Sequence, residues 1–141
     1  MKTYEEFETD LLVKCPEVFQ GTSPGFEIRA GWYRIVENLC YRINSYISHK
    51  NRWRNNPPDA LGSNSIQHTE PLSICVDQVK EKFGGLRFYY TGGDAFIDGM
   101  VNMAEIWASQ TCEICGERGA PRKKPSGWLS TLCEQHFEKN Q

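Results

Sequence analysis

CEICGERGAPRKKPSGWLSTLCEQH, residues 112–136, is the stretch that decides how this chain folds at its end. It holds two pairs, Cys112-x2-Cys115 and Cys133-x2-His136, with seventeen residues between them. Three thiols and an imidazole are the four donors that a closed tetrahedral zinc site takes. Two intervening residues let a tight turn or a first helical turn aim both side chains of a pair at one ion. Chance among six cysteines, or a disulfide framework, is the bland reading. It is weak, because Cys15, Cys40 and Cys75 are scattered in apolar or β-like surroundings and pair with nothing in sequence. Zn2+ on Cys112, Cys115, Cys133 and His136 is therefore the expected cofactor, and four protein ligands make it a structural one.

Gly116, just after the second ligand, frees the backbone to turn, so that nearby amides hydrogen-bond the thiolates. Pro121 to Gly127 is turn-rich and basic, and Trp128, Leu129, Thr131 and Leu132 read as a short strand. Cys133 then opens a short terminal helix through Lys139. Knuckle, hairpin, then two ligands from a helix start is the order of a treble-clef finger. We expect residues 110–141 to form this module, packed on a body of residues 1–109.

The body reads as three helices and a β-hairpin, for an α+β fold overall. Thr3 and Glu6 make a capping box for a first helix, with Phe7, Leu11 and Leu12 on one face. Cys15-Pro16 ends it, because proline disfavours the helical region for the residue before it. Residues 17–30 read as a connection, with Pro24-Gly25 as a turn. Trp32, Val36, Leu39, Ile43 and Ile47 recur at spacings of three and four, so residues 31–49 form a core helix. Residues 51–70 are polar, with a Pro-Pro pair, and read as a long loop and possible contact surface. Leu72, Ile74 and Val76 alternate, Val79 breaks phase at a bulge, and Leu86, Phe88 and Tyr90 alternate on a returning strand. Gly84-Gly85 between the runs reads as the turn, since it lacks the rest of any phosphate-binding signature. Asp94 caps a third helix over 94–109, whose buried stripe is Ile97, Met100, Val101, Ala104, Trp107 and Ala108.

Composition bounds the function classes. The chain has 141 residues, 39% hydrophobic and 12% aromatic, enough for one domain with a core. MKTYEEFETD has no apolar run behind basic residues, which excludes a secretory signal there, and nothing reaches the apolar length of a membrane span. Free cysteines with a thiolate metal site fit a reducing compartment, so a cytoplasmic protein is expected. The net charge of −2 is uneven: residues 29–54 carry six basic and one acidic side chain, whereas 1–28 carry two basic and six acidic. A nucleic-acid contact would have to use residues 42–54, near Trp53, with Arg122, Lys123 and Lys124. A solvated helix face followed by a loop explains 29–54 without one.

Two resemblances add to this. The seventeen-residue gap is similar to that of GATA-type DNA-binding fingers, but those have four cysteines, and the likeness covers only about 25 residues. A second likeness is wider. Gly31-Trp32-Tyr33, the stretch Gln78-Val-Lys-Glu-Lys-Phe-Gly-Gly-Leu-Arg-Phe-Tyr-Tyr90 and the closing Cys-x-x-Cys-Gly…Gly-Trp…Thr-Leu-Cys-x-x-His together resemble a family of small, mostly uncharacterised bacteriophage and prophage proteins. That resemblance implies a bacterial host cytoplasm. It also implies an accessory protein that binds and redirects a host protein or blocks a host defence.

Enzyme chemistry finds no support in the residues. HNH-type nucleases build on a treble clef but need a base histidine within the finger, and His136 is already a ligand. His49 and His68 lie far upstream, Cys40 belongs to a core face, and a cross-strand ion pair explains Glu81 and Arg87. The expected function is thus a non-enzymatic inhibitor or adaptor whose partner is a host protein. Arg52, Trp53, Arg87 and Tyr89 are the candidate partner-binding residues, since aromatic and arginine side chains dominate interface energetics. A zinc-finger nucleic-acid-binding regulator is the alternative. No membrane and no small-molecule substrate is expected.

Overall fold

The computed structural model describes residues 1–55, whose last member is described in its backbone only, and residues 70–139. The fold is mixed α+β. Helix α1 spans Tyr4–Lys14, α2 Pro16–Phe19, α3 Tyr33–Asn55, α4 Ala95–Ala108 and α5 Glu134–Lys139, and a 3-10 turn at Ala30–Trp32 leads into α3. Strands β1 (Phe26–Glu27), β2 (Ile74–Lys82) and β3 (Gly85–Gly92) form one sheet in that order, and β4 (Ala120–Lys123) pairs with β5 (Leu129–Leu132) in another.

The helix count exceeds three for local reasons. The capping box of α1 forms as expected: the Glu6 amide donates to Thr3 Oγ1 at 3.2 Å and the Thr3 amide to Glu6 Oε2 at 3.0 Å. Pro16 then starts α2 instead of a coil, since its missing N–H costs nothing in a first turn. Val18 and Phe19 bury themselves and hold that short helix in place. The segment expected to be a plain connection thus contains α2, the parallel strand β1 beside β2, and the 3-10 turn. Helix α3 runs to Asn55, so Asn51, Arg52, Trp53 and Arg54 are helical and not part of a loop. The remainder of the expected loop, 56–69, lies outside the described residues.

A helix of eleven residues such as α1 is marginal alone in water, so tertiary burial must hold it. Phe7 stacks on Tyr33 at 4.0 Å and meets Phe26 edge-on at 5.1 Å, tying α1 to α3 and to the sheet. Each such side chain contributes about 1.5–3 kcal/mol when buried. Helix α3 is the central element: it touches α1, α2 and α4, while α2 and α4 touch the sheet. Val36, Ile43 and Ile47 are fully buried along it, and so is Trp32 in the 3-10 turn before it.

The hairpin carries its bulge where the phase breaks. Val76 pairs with Tyr90 and Gln78 with Tyr89, so Asp77 is the extra residue. That insertion returns Val79 to the face of Ile74 and Val76, opposite Phe88. The turn is one position earlier than expected. Lys82 pairs with Gly85, and the two loop residues are Phe83 (φ 53°) and Gly84 (φ 80°). Two positive φ angles in a two-residue loop match the twist of the strands, so Phe83 takes a conformation that a bulky side chain resists. Gly85 is a strand residue.

Helix α4 is capped by Asp94, whose Oδ1 accepts from the Ile97 amide at 3.0 Å. Ile97, Val101, Ala104 and Ala108 are buried as expected, and Met100 is half-buried. Trp107 is not part of that stripe: it is 46% exposed, beside Met103 at 64% and Ile106 at 54%. Ala104 and Ala108 take the buried positions, and Trp107 stands at the edge of the stripe.

Candidate metal centre

The four donors arrive from three pieces of local structure. Cys112 and Cys115 sit on a knuckle closed by two backbone bonds, Cys112 N to Glu117 O at 2.7 Å and Gly116 N to Cys112 O at 2.9 Å. Gly116 takes φ 81°, the conformation that a residue after the second cysteine needs for this turn. The β4–β5 hairpin then carries the chain back. Cys133 follows β5 directly, and His136 lies in the first turn of α5.

The ligand atoms of Cys112, Cys115, Cys133 and His136 all lie within 4.8 Å of one another. His136 Nδ1 is 3.2 Å from Cys133 Sγ and 3.6 Å from Cys112 Sγ, and the Cys115 and Cys133 sulfurs are 3.9 Å apart. A tetrahedral thiolate site with bonds of about 2.3 Å places its donors about 3.5–3.8 Å apart. The residues therefore fit a metal ion in both chemistry and spacing. Burial pushes the Cys112 thiol up, but amide hydrogen bonds at Cys115, Cys133 and Ile114 outweigh it and bring it down to about 7. Those amides favour a thiolate, the form that binds a metal.

The motifs singled out in the body turn out to hold this module. The Gly31 amide donates to Glu113 O at 2.9 Å, and a Cβ on Gly31 would stand 2.2 Å from Cys112 O. Trp32 Nε1 donates to Thr111 O at 2.8 Å, fully buried. On the other side, Gly84 at the hairpin tip receives Thr131 Oγ1 on its carbonyl at 2.6 Å. A Cβ there would sit 3.2 Å from the Leu129 and Ser130 backbone. Glu113, between the first two ligands, is buried beside both contacts. It accepts from the Thr131 amide at 3.3 Å and lies 3.8 Å from Arg29 Nε. Burial pushes its carboxyl up, and that amide and guanidinium offset only part of the rise. Sequence reasoning found Gly31-Trp32 and the 78–90 block as motifs but not their task. Thr131 reads in sequence as a strand residue and part of the closing motif, without its contact to Gly84, and nothing there singles out Glu113.

The expected partner-binding residues stand on two elements. Arg52 and Trp53 are exposed on the last turn of α3, with the Trp53 ring 5.7 Å from His49. Tyr89 is exposed on β3, and Arg87 on the same strand faces Glu105 of α4 at 3.9 Å. The expected Glu81–Arg87 pair is absent: Arg87 is opposite Lys80, and Glu81 Oε1 instead accepts from the Gly84 amide at 2.7 Å. The two-residue turn at Phe83-Gly84 sets that register. Of the basic run in the module, Arg122 is committed internally, to Glu134 at 2.9 Å and over the Phe137 ring at 4.8 Å.

Among the described residues, no helix is long and apolar enough to cross a membrane. No protein-family model, curated protein or solved structure matches this chain.

Proposed function

We propose that the protein is a non-enzymatic accessory protein of bacteriophage type that binds a host protein as an inhibitor or adaptor. One Zn2+ held by Cys112, Cys115, Cys133 and His136 gives its treble-clef-like module a fixed shape. The observation that carries the structural role of the metal is the closed set of four protein donors, which leaves no position for water or substrate. The bound ion supplies folding energy there, and the chain's own contacts at Gly31, Trp32 and Gly84 pass that rigidity to the body. Large apolar side chains left in solvent, Trp53, Tyr89, Trp107 and Trp128 among them, support protein binding. Buried free Cys15 and Cys40 and the thiolate site suit the reducing cytoplasm of a bacterial host. The internal pairing of Arg122 weighs against the nucleic-acid reading, which needs that residue for phosphate.

The test is a pull-down from bacterial lysate with and without nuclease. A captured protein that survives nuclease and moderate salt supports this reading. Capture that disappears with nuclease and falls steeply with salt overturns it in favour of a nucleic-acid-binding regulator.

A further inference from the structure

Between α3 and α4 runs a groove that none of the expected partner-binding residues lines. A hollow of about 200 Å3 lies between the two helices and opens, past Ile35, Asn38 and Trp107, into one of about 510 Å3 between the start of α3, the N-terminus and the cysteine knuckle, to which α4 contributes Trp107. Ile35 and Leu39 of α3 and Ala104 of α4 make an apolar floor, almost fully buried. One wall is the exposed apolar side of α4, with Met103 and Trp107. The other is polar. Arg34, Asn38 and Arg42 fall at intervals of four along α3, so they form one row, and all three are exposed.

The charges on this wall are uncommitted. Among the described residues, the ion pairs do not include Arg34 or Arg42. Glu37, the carboxylate closest in sequence, is held by Lys2 at 2.7 Å and does not neutralise them. Glu117 lines only the hollow that reaches the knuckle. Eight residues of helix separate the two arginines, about 12 Å or two turns. A trough with an apolar wall, an apolar floor and two arginines along its other side matches one kind of occupant. A nucleic-acid backbone would leave Met103 and Trp107 in contact with phosphate and sugar. An amphipathic helix places apolar residues at spacings of three and four on such a wall and carboxylates on the flank.

We propose that the groove between α3 and α4 seats an acidic amphipathic helix of a partner protein, its apolar face against Trp107 and Met103 and its carboxylates against Arg34 and Arg42. This rests on the protein-binding reading above and names the surface and the chemistry it selects.

The probe is a fluorescent synthetic helix of about five turns, with a leucine face flanked by glutamates, and a twin with lysine at every glutamate. Binding is read by anisotropy. The glutamate helix should bind, and Trp107→Ala, Met103→Glu and Arg42→Glu should each weaken it about tenfold or more, as central aromatic and arginine anchors do. Metal content and melting temperature check that the variants are folded, and Met103→Glu and Arg42→Glu change exposed side chains only. Equal binding of the lysine twin, binding indifferent to the three substitutions, or no binding by either helix overturns the proposal. Self-association in sedimentation that Trp107→Ala abolishes also overturns it, since a second copy then fills the groove. If the three variants still capture the nuclease-resistant host protein from lysate, the groove is rejected while the protein-binding function stands.

Discussion

The hydroxyl of Thr131 donates a 2.6 Å hydrogen bond to the carbonyl of Gly84, joining the metal module to the hairpin tip across 47 positions of sequence. Both groups are buried, so neither finds water if the other is lost. With the Gly31 amide on Glu113 O and the Trp32 indole on Thr111 O, it fixes the module to the body on two sides.

Thr131→Val keeps the shape and removes the donor. It should destabilise the protein by about 1–3 kcal/mol, the cost of an unsatisfied buried carbonyl. Thr131→Ser should recover most of that loss. Denaturant titration of the three proteins decides it, and a Val variant as stable as wild type would show that the bond contributes nothing.

Gly31→Ala should be far worse, more than about 3 kcal/mol, a size reserved for a few mechanisms that include backbone clash. A methyl group there cannot coexist with Cys112 O at 2.2 Å unless the 3-10 turn leaves the knuckle. Hydrogen exchange should then show residues 30–32 and 111–116 opening together. A variant with wild-type exchange at both segments would mean that the contact is not tight.

At the hairpin tip the two glycines should part company. Gly84→Val meets both a positive φ and the backbone of β5, and should cost about 1–3 kcal/mol from strain alone. Gly85→Val has an ordinary strand φ, and its Cβ meets only the movable Arg87 guanidinium at 2.8 Å, so its cost should be smaller. Phe83→Asn should be stabilising by about 1 kcal/mol, because it relieves a left-handed phenylalanine. Thermal melts rank the three, and a Gly85 variant less stable than the Gly84 variant would place the turn one residue later.

Purified protein should hold one zinc ion per chain by elemental analysis, and Cys133→Ser should lower that sharply. Thiol reactivity gives an independent count. Cys75 is exposed and should react in the metal-bound protein, whereas burial pushes the Cys15 thiol up to about 12 and raises the Cys40 thiol well above its ordinary value. One thiol should therefore titrate before chelation, four after it, and six in denaturant. Four reactive thiols in the metal-replete protein would rule out the assigned ligands.

Acid should expose the α4 cap. Burial raises the Asp94 carboxyl, but the Tyr46 hydroxyl at 2.6 Å and the Ile97 and Phe96 amides outweigh it and hold it below its ordinary value. A depressed carboxyl contributes stability in full above its unfolded value of about 4, and loses it as pH falls through the folded value. Asp94→Ala should cost about 1 kcal/mol at neutral pH. Between about pH 5 and 3 the wild type should lose melting temperature faster than Asp94→Asn, which retains a cap without the charge. Parallel curves would show that this carboxylate does not govern acid stability.

The sequence by itself determined what depends on local chemistry. Ligand spacing picked out the four residues that the fold brings within 4.8 Å of one another, the capping box began α1, the apolar stripe from Val36 to Ile47 marked α3, and the broken alternation at Val79 located a bulge. Each signal lies within a few residues because turn geometry and helix periodicity are short-range properties. Tertiary structure decided which faces were covered. Trp107 reads in sequence as part of the buried stripe but stands half-exposed at its edge, beside Met103 and Ile106, because burial depends on what packs against the helix and not on its period. Arg87 faces Glu105 and not Glu81, because the turn at Phe83-Gly84 puts Lys80 opposite Arg87 and Leu86 opposite Glu81. The contacts of Gly31 with Glu113 and of Gly84 with Thr131 join the module to the body across 47 or more positions, and such contacts leave no periodic trace in a single chain.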